Sequence, residues 1–207
     1  KELSALVNRY RDGGYSRELP PIVEKKSQAG LPTLMGKDLV WHDFTVLPTK
    51  PWTLTRGAWQ VHDNALWNPA PKTEEQGATL TGPLPITDGT LEYDMKLHTA
   101  GRHSLRIHTA GKHSFRIVVS STVLEITKNP DQGQDKSQTE PLARQKIKLN
   151  AEDWQTLRIT FKGDQVTAQI AGVTATGKHR VIAEAKEQLN MIVFDGVAGF
   201  RNLRVVK

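Results

Sequence analysis

An antiparallel β-sandwich is the fold class predicted for this 207-residue chain. Three observations carry the prediction. First, about twelve short strand-type runs follow one another at regular spacing, separated by Gly, Pro, Asn and Asp turn signals. Second, the densest run alternates with period two: Leu91, Tyr93, Met95 and Leu97 are apolar, while Glu92, Asp94, Lys96 and His98 are polar. Such alternation puts the two sets on opposite faces of a strand. Third, a ten-residue unit, His-Thr-Ala-Gly-Arg-His-Ser-Leu-Arg-Ile, starts at His98 and is repeated at once to Ile117, with only Lys112 and Phe115 changed. Each copy joins an Ala-Gly turn signal to an alternating strand.

The elements are expected as follows. Leu3, Leu6, Val7 and Tyr10 form one apolar stripe, which predicts a short helix stopped by Gly13 and Gly14. Residues 15–36, with Pro20, Pro21 and Pro32, read as an extended arm. The predicted organisation is therefore a helix and arm over 1–36 and a sandwich over 37–207. Within the sandwich, Leu39, Trp41 and Phe44 mark a first strand, and Trp59–His62 and Ala65–Trp67 flank an Asp63-Asn64 turn. Residues 68–78 read as a loop, Ala78–Leu80 as a short strand, and Gly82–Pro85 as a turn. Residues 91–97, 105–107 and 115–119 are expected to form a three-stranded meander. Val123–Ile126 is another strand, 129–139 a polar loop, and Ile147–Leu149 a short extended piece. Residues 154–161 and 166–170 form a hairpin about Gly163-Asp164. Ala183–Gln188 suggests one helical turn, and Leu189–Phe194 and Phe200–Val206 are the closing strands.

Four stretches carry a family resemblance: Gly57–Leu66, Gly89–Met95, Asp153–Ile159 and Gly199–Val205. Their order resembles the concanavalin A-like jelly roll, and within it the bacterial 3-keto-disaccharide hydrolase domain family, related in fold to laminin-G-like modules. The resemblance covers residues 38–207. It implies two packed antiparallel sheets, a sugar-binding concave face, and a bacterial protein exported to the periplasm or secreted. Glycoside-hydrolase-like activity comes with the family, but no catalytic residue set maps onto this chain, so the catalytic residues stay unassigned. A non-catalytic protein-interaction module of laminin-G-like fold is the alternative.

The composition narrows the chemistry. There is no cysteine, so disulfides and thiolate chemistry are excluded. No signal peptide is visible, and the chain begins at Lys1 rather than Met, which is compatible either with a removed leader or with a boundary set inside a longer sequence. No apolar run reaches the length of a membrane span. The net charge is +6, yet no basic stripe or recognition motif stands out, so no nucleic-acid partner is expected. The predicted partner is an oligo- or polysaccharide. Glu92, Asp94, Arg106, His108 and Arg116 share one parity and are expected to line one sheet surface, as is His98. Carboxylates and guanidinium groups bind sugar hydroxyls through paired hydrogen bonds. Trp52 and Trp67 stand beside prolines in loops and are the candidate stacking rings, with Trp67 taken into the proposed site, whereas Trp59 and Trp154 are expected in the core.

Leu91–Lys96 looks like the start of the Glu-x-Asp-x-x-Glu strand of laminarinase-type enzymes. The third acid is missing, with Lys96 and Leu97 in its place. His98, His103, His108 and His113 invite a metal reading. The parity count divides them instead, His98 and His108 on the polar face and His103 and His113 beside turns. Asn129–Asp135 with Glu140 offers oxygen ligands, but Gly133 stands one place early for the helix-loop-helix calcium motif. No metal and no cofactor are predicted.

Overall fold

The computed structural model describes residues 34–69, 77–130 and 139–207. The predicted helix, nearly all of the arm and most of the 129–139 loop lie outside them. The strands in chain order are β1 (Asp38–His42), β2 (Thr53–Arg56), β3 (Gln60–His62), β4 (Ala65–Pro69), β5 (Ala78–Ile86), β6 (Gly89–Lys96), β7 (Arg102–Thr109) and β8 (Lys112–Val119). They continue with β9 (Val123–Lys128), β10 (Glu140–Lys146), β11 (Gln155–Lys162), β12 (Gln165–Ile170), β13 (Val173–Lys178), β14 (Lys186–Phe194) and β15 (Val197–Val206). Two antiparallel sheets result. An eight-stranded sheet runs β13-β12-β11-β6-β15-β4-β3, with β1 also on β15, and a seven-stranded sheet runs β10-β9-β8-β7-β14-β5-β2.

The core lies between the sheets and follows the predicted parity. Leu91, Tyr93 and Met95 of β6, Leu157, Ile159 and Phe161 of β11, and Phe200, Leu203 and Val205 of β15 point inward from one side. Leu105 and Ile107 of β7, Phe115 and Ile117 of β8, and Leu189 and Met191 of β14 meet them from the other. In β15 the inward set changes from even to odd numbers because of a bulge between Arg201 and Arg204, where Asn202 has φ 55°. A bulge adds one residue to one strand and so shifts the alternation.

The expected meander is corrected. Strand β6 belongs to the eight-stranded sheet, while β7 and β8 belong to the other. The first His-Thr-Ala-Gly therefore crosses between sheets, and only the second makes a hairpin. In the second copy Ala110 and Gly111 have φ 47° and 70°, and Thr109 faces Lys112. Two consecutive positive φ angles are the mark of a two-residue hairpin turn. In the first copy it is His98 that has positive φ, at 48°. There His98 N donates to Ala151 O, Ala100 N to Val197 O, and Gly101 N to Phe194 O. The same four residues thus take two shapes, selected by the backbone groups of distant segments.

The strands absent from the sequence reading, β2, β10 and β13, are all at sheet edges. Strands β2 and β10 are largely exposed, as in β10 (Glu-Pro-Leu-Ala-Arg-Gln-Lys), while β13 does alternate but its buried positions are only Ala175 and Gly177. Polar residues and a proline on an edge also discourage pairing with other chains. The predicted turn at 82–85 is instead part of β5. Strand β2 pairs only with Thr79–Thr81, so beyond Thr81 strand β5 pairs with β14 alone and tolerates Pro83 and Pro85. The helical turn expected at 183–188 falls earlier, as a 3-10 turn at Arg180–Ala183 capped by His179, and Lys186 already belongs to β14. Lys186 is buried, and its ammonium donates to Thr87 O at 2.5 Å and to Ile182 O.

Gly82 faces the indole of Trp52 so closely that an added Cβ would come within 2.1 Å of the ring. Gly82→Ala should therefore destabilise the protein by about 1–3 kcal/mol, the cost of overpacking a rigid neighbour. Calorimetry would show this as a lowered Tm. An unchanged Tm would mean that Trp52 gives way freely.

Candidate functional site

The predicted site residues separate onto two opposite surfaces. Glu92 and Asp94 lie on the outer face of the eight-stranded sheet, and Arg106, His108 and Arg116 lie on the outer face of the other. Shared parity did not place them together because the crossing at 97–101 starts a new sheet. The core stands between the two groups.

On the eight-stranded sheet the carboxylates are enclosed. Glu92 and Asp94 are 5% and 6% exposed. Arg158 holds Glu92 Oε2 through Nη2 at 2.6 Å and Nε at 2.7 Å. Asp94 accepts from Thr156 Oγ1 at 2.8 Å and from Asn202 Nδ2 at 2.7 Å, with Arg201 Nε at 3.4 Å. The β15 bulge brings Arg201 and Asn202 to this face. Carboxylates committed to such bonds serve the fold rather than a glycosidase pair, which needs open acids about 5–10 Å apart.

Trp67 is 9% exposed. One face of its ring stacks on His62 at 4.9 Å, Trp154 meets its edge at 5.6 Å, and Nε1 donates to His62 O. It is not free to carry a sugar. Trp52 is also in the core, as is Trp59, while Trp154 is only half-buried, under the Arg201 guanidinium at 4.2 Å.

The histidines are also divided. His98 pairs with Glu152 at 2.7 Å. His103, expected beside a turn, is fully buried inside the core. Its Nδ1 lies 3.1 Å from Ile192 O and its Nε2 2.6 Å from Tyr93 Oη. A carbonyl only accepts, so Nδ1 carries the proton and Nε2 accepts from the tyrosine. Burial pushes His103 down to about 4 and raises Tyr93 above its usual value. Among the described residues, no three His, Asp or Glu side chains converge as a metal site.

The outer face of the seven-stranded sheet offers the more open arrangement. Register places Thr81, Asn190, Arg106, Arg116 and Thr127 side by side across β5, β14, β7, β8 and β9. One row along, Gln188, His108 and His113 are neighbours. A bulge in the β7–β8 pairing brings His113 opposite His108, and their rings stack at 5.5 Å. The hairpin end is pinned to neighbouring segments by Gly111 N donating to Glu187 Oε2 and Thr109 Oγ1 donating to Glu184 Oε2. Asn190 Nδ2 lies 3.2 Å from His108 Nε2, and Arg116 Nε donates to Thr127 Oγ1 at 3.0 Å. Arg106 Nε and His113 Nε2 are buried atoms without a hydrogen-bond partner. Burial, then the charges of Arg116, Arg102 and Arg56, lower the pKa of Arg106. Burial and Arg106 hold His108 below the usual imidazole value and His113 at about 3, so both rings are neutral at pH 7.

Asn190, Gln188, Arg56 and Arg102 had not been singled out. The one signal was Asn190 itself, a polar residue interrupting the apolar run 189–194. The basic stripe missing from the sequence is assembled by strand pairing from residues up to 60 positions apart.

No family model matches the chain, and no curated protein matches it. Solved structures do. The carbohydrate binding module CBM66 from Bacillus subtilis aligns at TM-score 0.55 and 17% identity, over 75% of this chain and 95% of that one. The catalytic domain of an endo-1,3-β-glucanase (laminarinase) from Thermotoga petrophila aligns at 0.61 and 14%, over 84% and 98%. SCLam, a non-specific endo-β-1,3(4)-glucanase of family GH16, aligns at 0.64 and 11%, over 83% and 91%. At these identities the likeness is one of fold: the chain is a jelly-roll β-sandwich of the kind found in glycan-binding modules and GH16 glucanases.

Proposed function

We propose that this protein binds carbohydrate on the outer face of its seven-stranded sheet. The observation that carries the reading is the Thr81–Asn190–Arg106–Arg116–Thr127 row, with the unpartnered Arg106 Nε at its centre. A row of hydroxyl, amide and guanidinium groups supplies both donors and acceptors to sugar hydroxyls. The enclosed state of Glu92 and Asp94 favours binding over hydrolysis. The finer resemblance to 3-keto-disaccharide hydrolase domains adds modified disaccharides to the ligands worth testing. A glycan partner also suits an exported protein, in the periplasm or outside the cell.

Isothermal titration against a panel of oligo- and polysaccharides tests the reading. One or more should bind, and Asn190→Ala should weaken that binding about tenfold, the effect of losing one to two well-placed hydrogen bonds. Thr174→Ala, exposed on β13 of the other sheet, should leave it unchanged. Absence of binding to every glycan by the folded protein would refute the proposal.

A further inference from the structure

We infer that the saccharide bound on this face is an acidic polymer, whose repeated sugar carboxylates or sulfates are held by Arg102, Arg106 and Arg116 with Arg56 at the margin. This rests on the carbohydrate-binding reading of the same face and deepens it.

Eight of the described arginines fall into two groups. Arg144, Arg158, Arg201 and Arg204 each stand within 4 Å of a carboxylate, from Glu125, Glu92, Asp94 and Asp38 respectively. Among the described residues, no carboxylate pairs with Arg56, Arg102, Arg106 or Arg116. Arg106 and Arg116 are direct cross-strand partners. Like charges directly opposite each other destabilise a sheet. The buried Arg106 Nε adds the cost of a donor taken from water without replacement. A local conflict of this sort, on an otherwise consistent sandwich, is expected where function requires it. An oxyanion between the two guanidinium groups removes both costs, through the two-pronged hydrogen bonding that arginine offers carboxylates and sulfates.

The geometry favours a polymer over a single ion. Arg102 and Arg106 share a face four residues apart on β7, a separation of about 13 Å at the rise of a strand. The charge is therefore drawn out along the strand as well as across it. Asn190, Gln188 and the neutral imidazole pair lie beside it to meet hydroxyl groups. Three carboxylates around this sheet have partners other than these arginines, although Glu187 also acts on the site's His108. Glu125 is with Arg144, Glu184 accepts from Thr109, and Glu187 accepts from Gly111 N. A single-stranded nucleic acid also carries repeated anions, but its bases need open rings to stack on. Here His108 and His113 cover each other, and Phe194 lies under Arg102 at 4.4 Å.

The test is titration of the full chain with polygalacturonate, its methyl-esterified neutral form, a sulfated galactan, the neutral glycans of the panel and a single-stranded oligonucleotide. The expected result is that polygalacturonate or the sulfated galactan binds at least about tenfold more tightly than the neutral polymers. The preference of one acid over the other tells which anion is the natural one. Raising salt from about 50 to 300 mM should weaken binding, as for any contact resting on charge. Arg106→Gln and Arg116→Gln should each weaken acidic-glycan binding about tenfold or more, while Arg106→Lys restores only part. Arg106→Gln should also keep or raise the Tm of the free protein, which separates lost binding from lost folding. Neutral polymers binding as tightly as acidic ones, with both Gln variants unaffected, would overturn this inference and leave carbohydrate binding standing. Tighter binding of the oligonucleotide than of any glycan would overturn it as well. No glycan binding at all would overturn both readings.

Discussion

Glu92→Ala is expected to lower stability by about 3–5 kcal/mol, the cost of depriving a buried cation of its carboxylate. Glu92 and Arg158 pair on the outer face of the eight-stranded sheet, yet their side chains are only 7% and 10% exposed. Two short contacts from Arg158, at 2.6 and 2.7 Å, converge on one oxygen of Glu92. Replacing both together, as Glu92→Leu with Arg158→Met, should recover most of the loss because no charge is then left buried. Glu125→Ala is the comparison. Its partner Arg144 is 65% exposed and 3.6 Å away, so its loss should cost about 0–1 kcal/mol. Urea denaturation of the four proteins gives the answer. A Glu92→Ala loss no larger than that of Glu125→Ala would mean that water reaches the pair in solution.

Acid should destabilise the protein through His103. Its pKa is about 4 when folded and about 6.5 in the unfolded chain. The folded state therefore binds fewer protons, and stability falls as the pH drops from 6.5 towards 4, with no further loss below that. The shift corresponds to about 3 kcal/mol across this window. Protonation would also remove the acceptor that Tyr93 uses, since both ring nitrogens would then donate. His113, held at about 3, acts in the same direction. His103→Gln should cost stability at pH 7 but flatten the dependence between pH 6.5 and 4. Denaturation midpoints at several pH values would test this, and identical slopes for variant and parent would show that His103 is not the titrating group.

Much of the fold was legible because burial writes itself into alternation. Leu105, Ile107, Phe115 and Ile117 were expected to face the core, and all four are fully buried. The hairpin about Gly163 pairs as its pattern predicts, with Phe161 against Val166. The edge strands were not legible because β2 is four residues long, β10 is largely exposed, and β13 buries only the small residues Ala175 and Gly177, which give a weak hydropathy signal. The candidate site was legible only in part. Arg106, His108 and Arg116 came from parity, but Asn190, Arg56 and Arg102 needed the strand order.

The duplicated segment shows where the boundary lies. By itself the sequence determined a sandwich, the inward residues of each central strand, and a polar face carrying Arg106, His108 and Arg116. Only the tertiary structure decided that Glu92 and Asp94 stand on the opposite surface, locked to Arg158, Thr156 and Asn202. The reason is physical. Parity is a local property of one strand and says nothing of which sheet the next strand joins. That choice is made at His98–Gly101 by hydrogen bonds to Ala151, Val197 and Phe194, residues about 50 to 100 positions away.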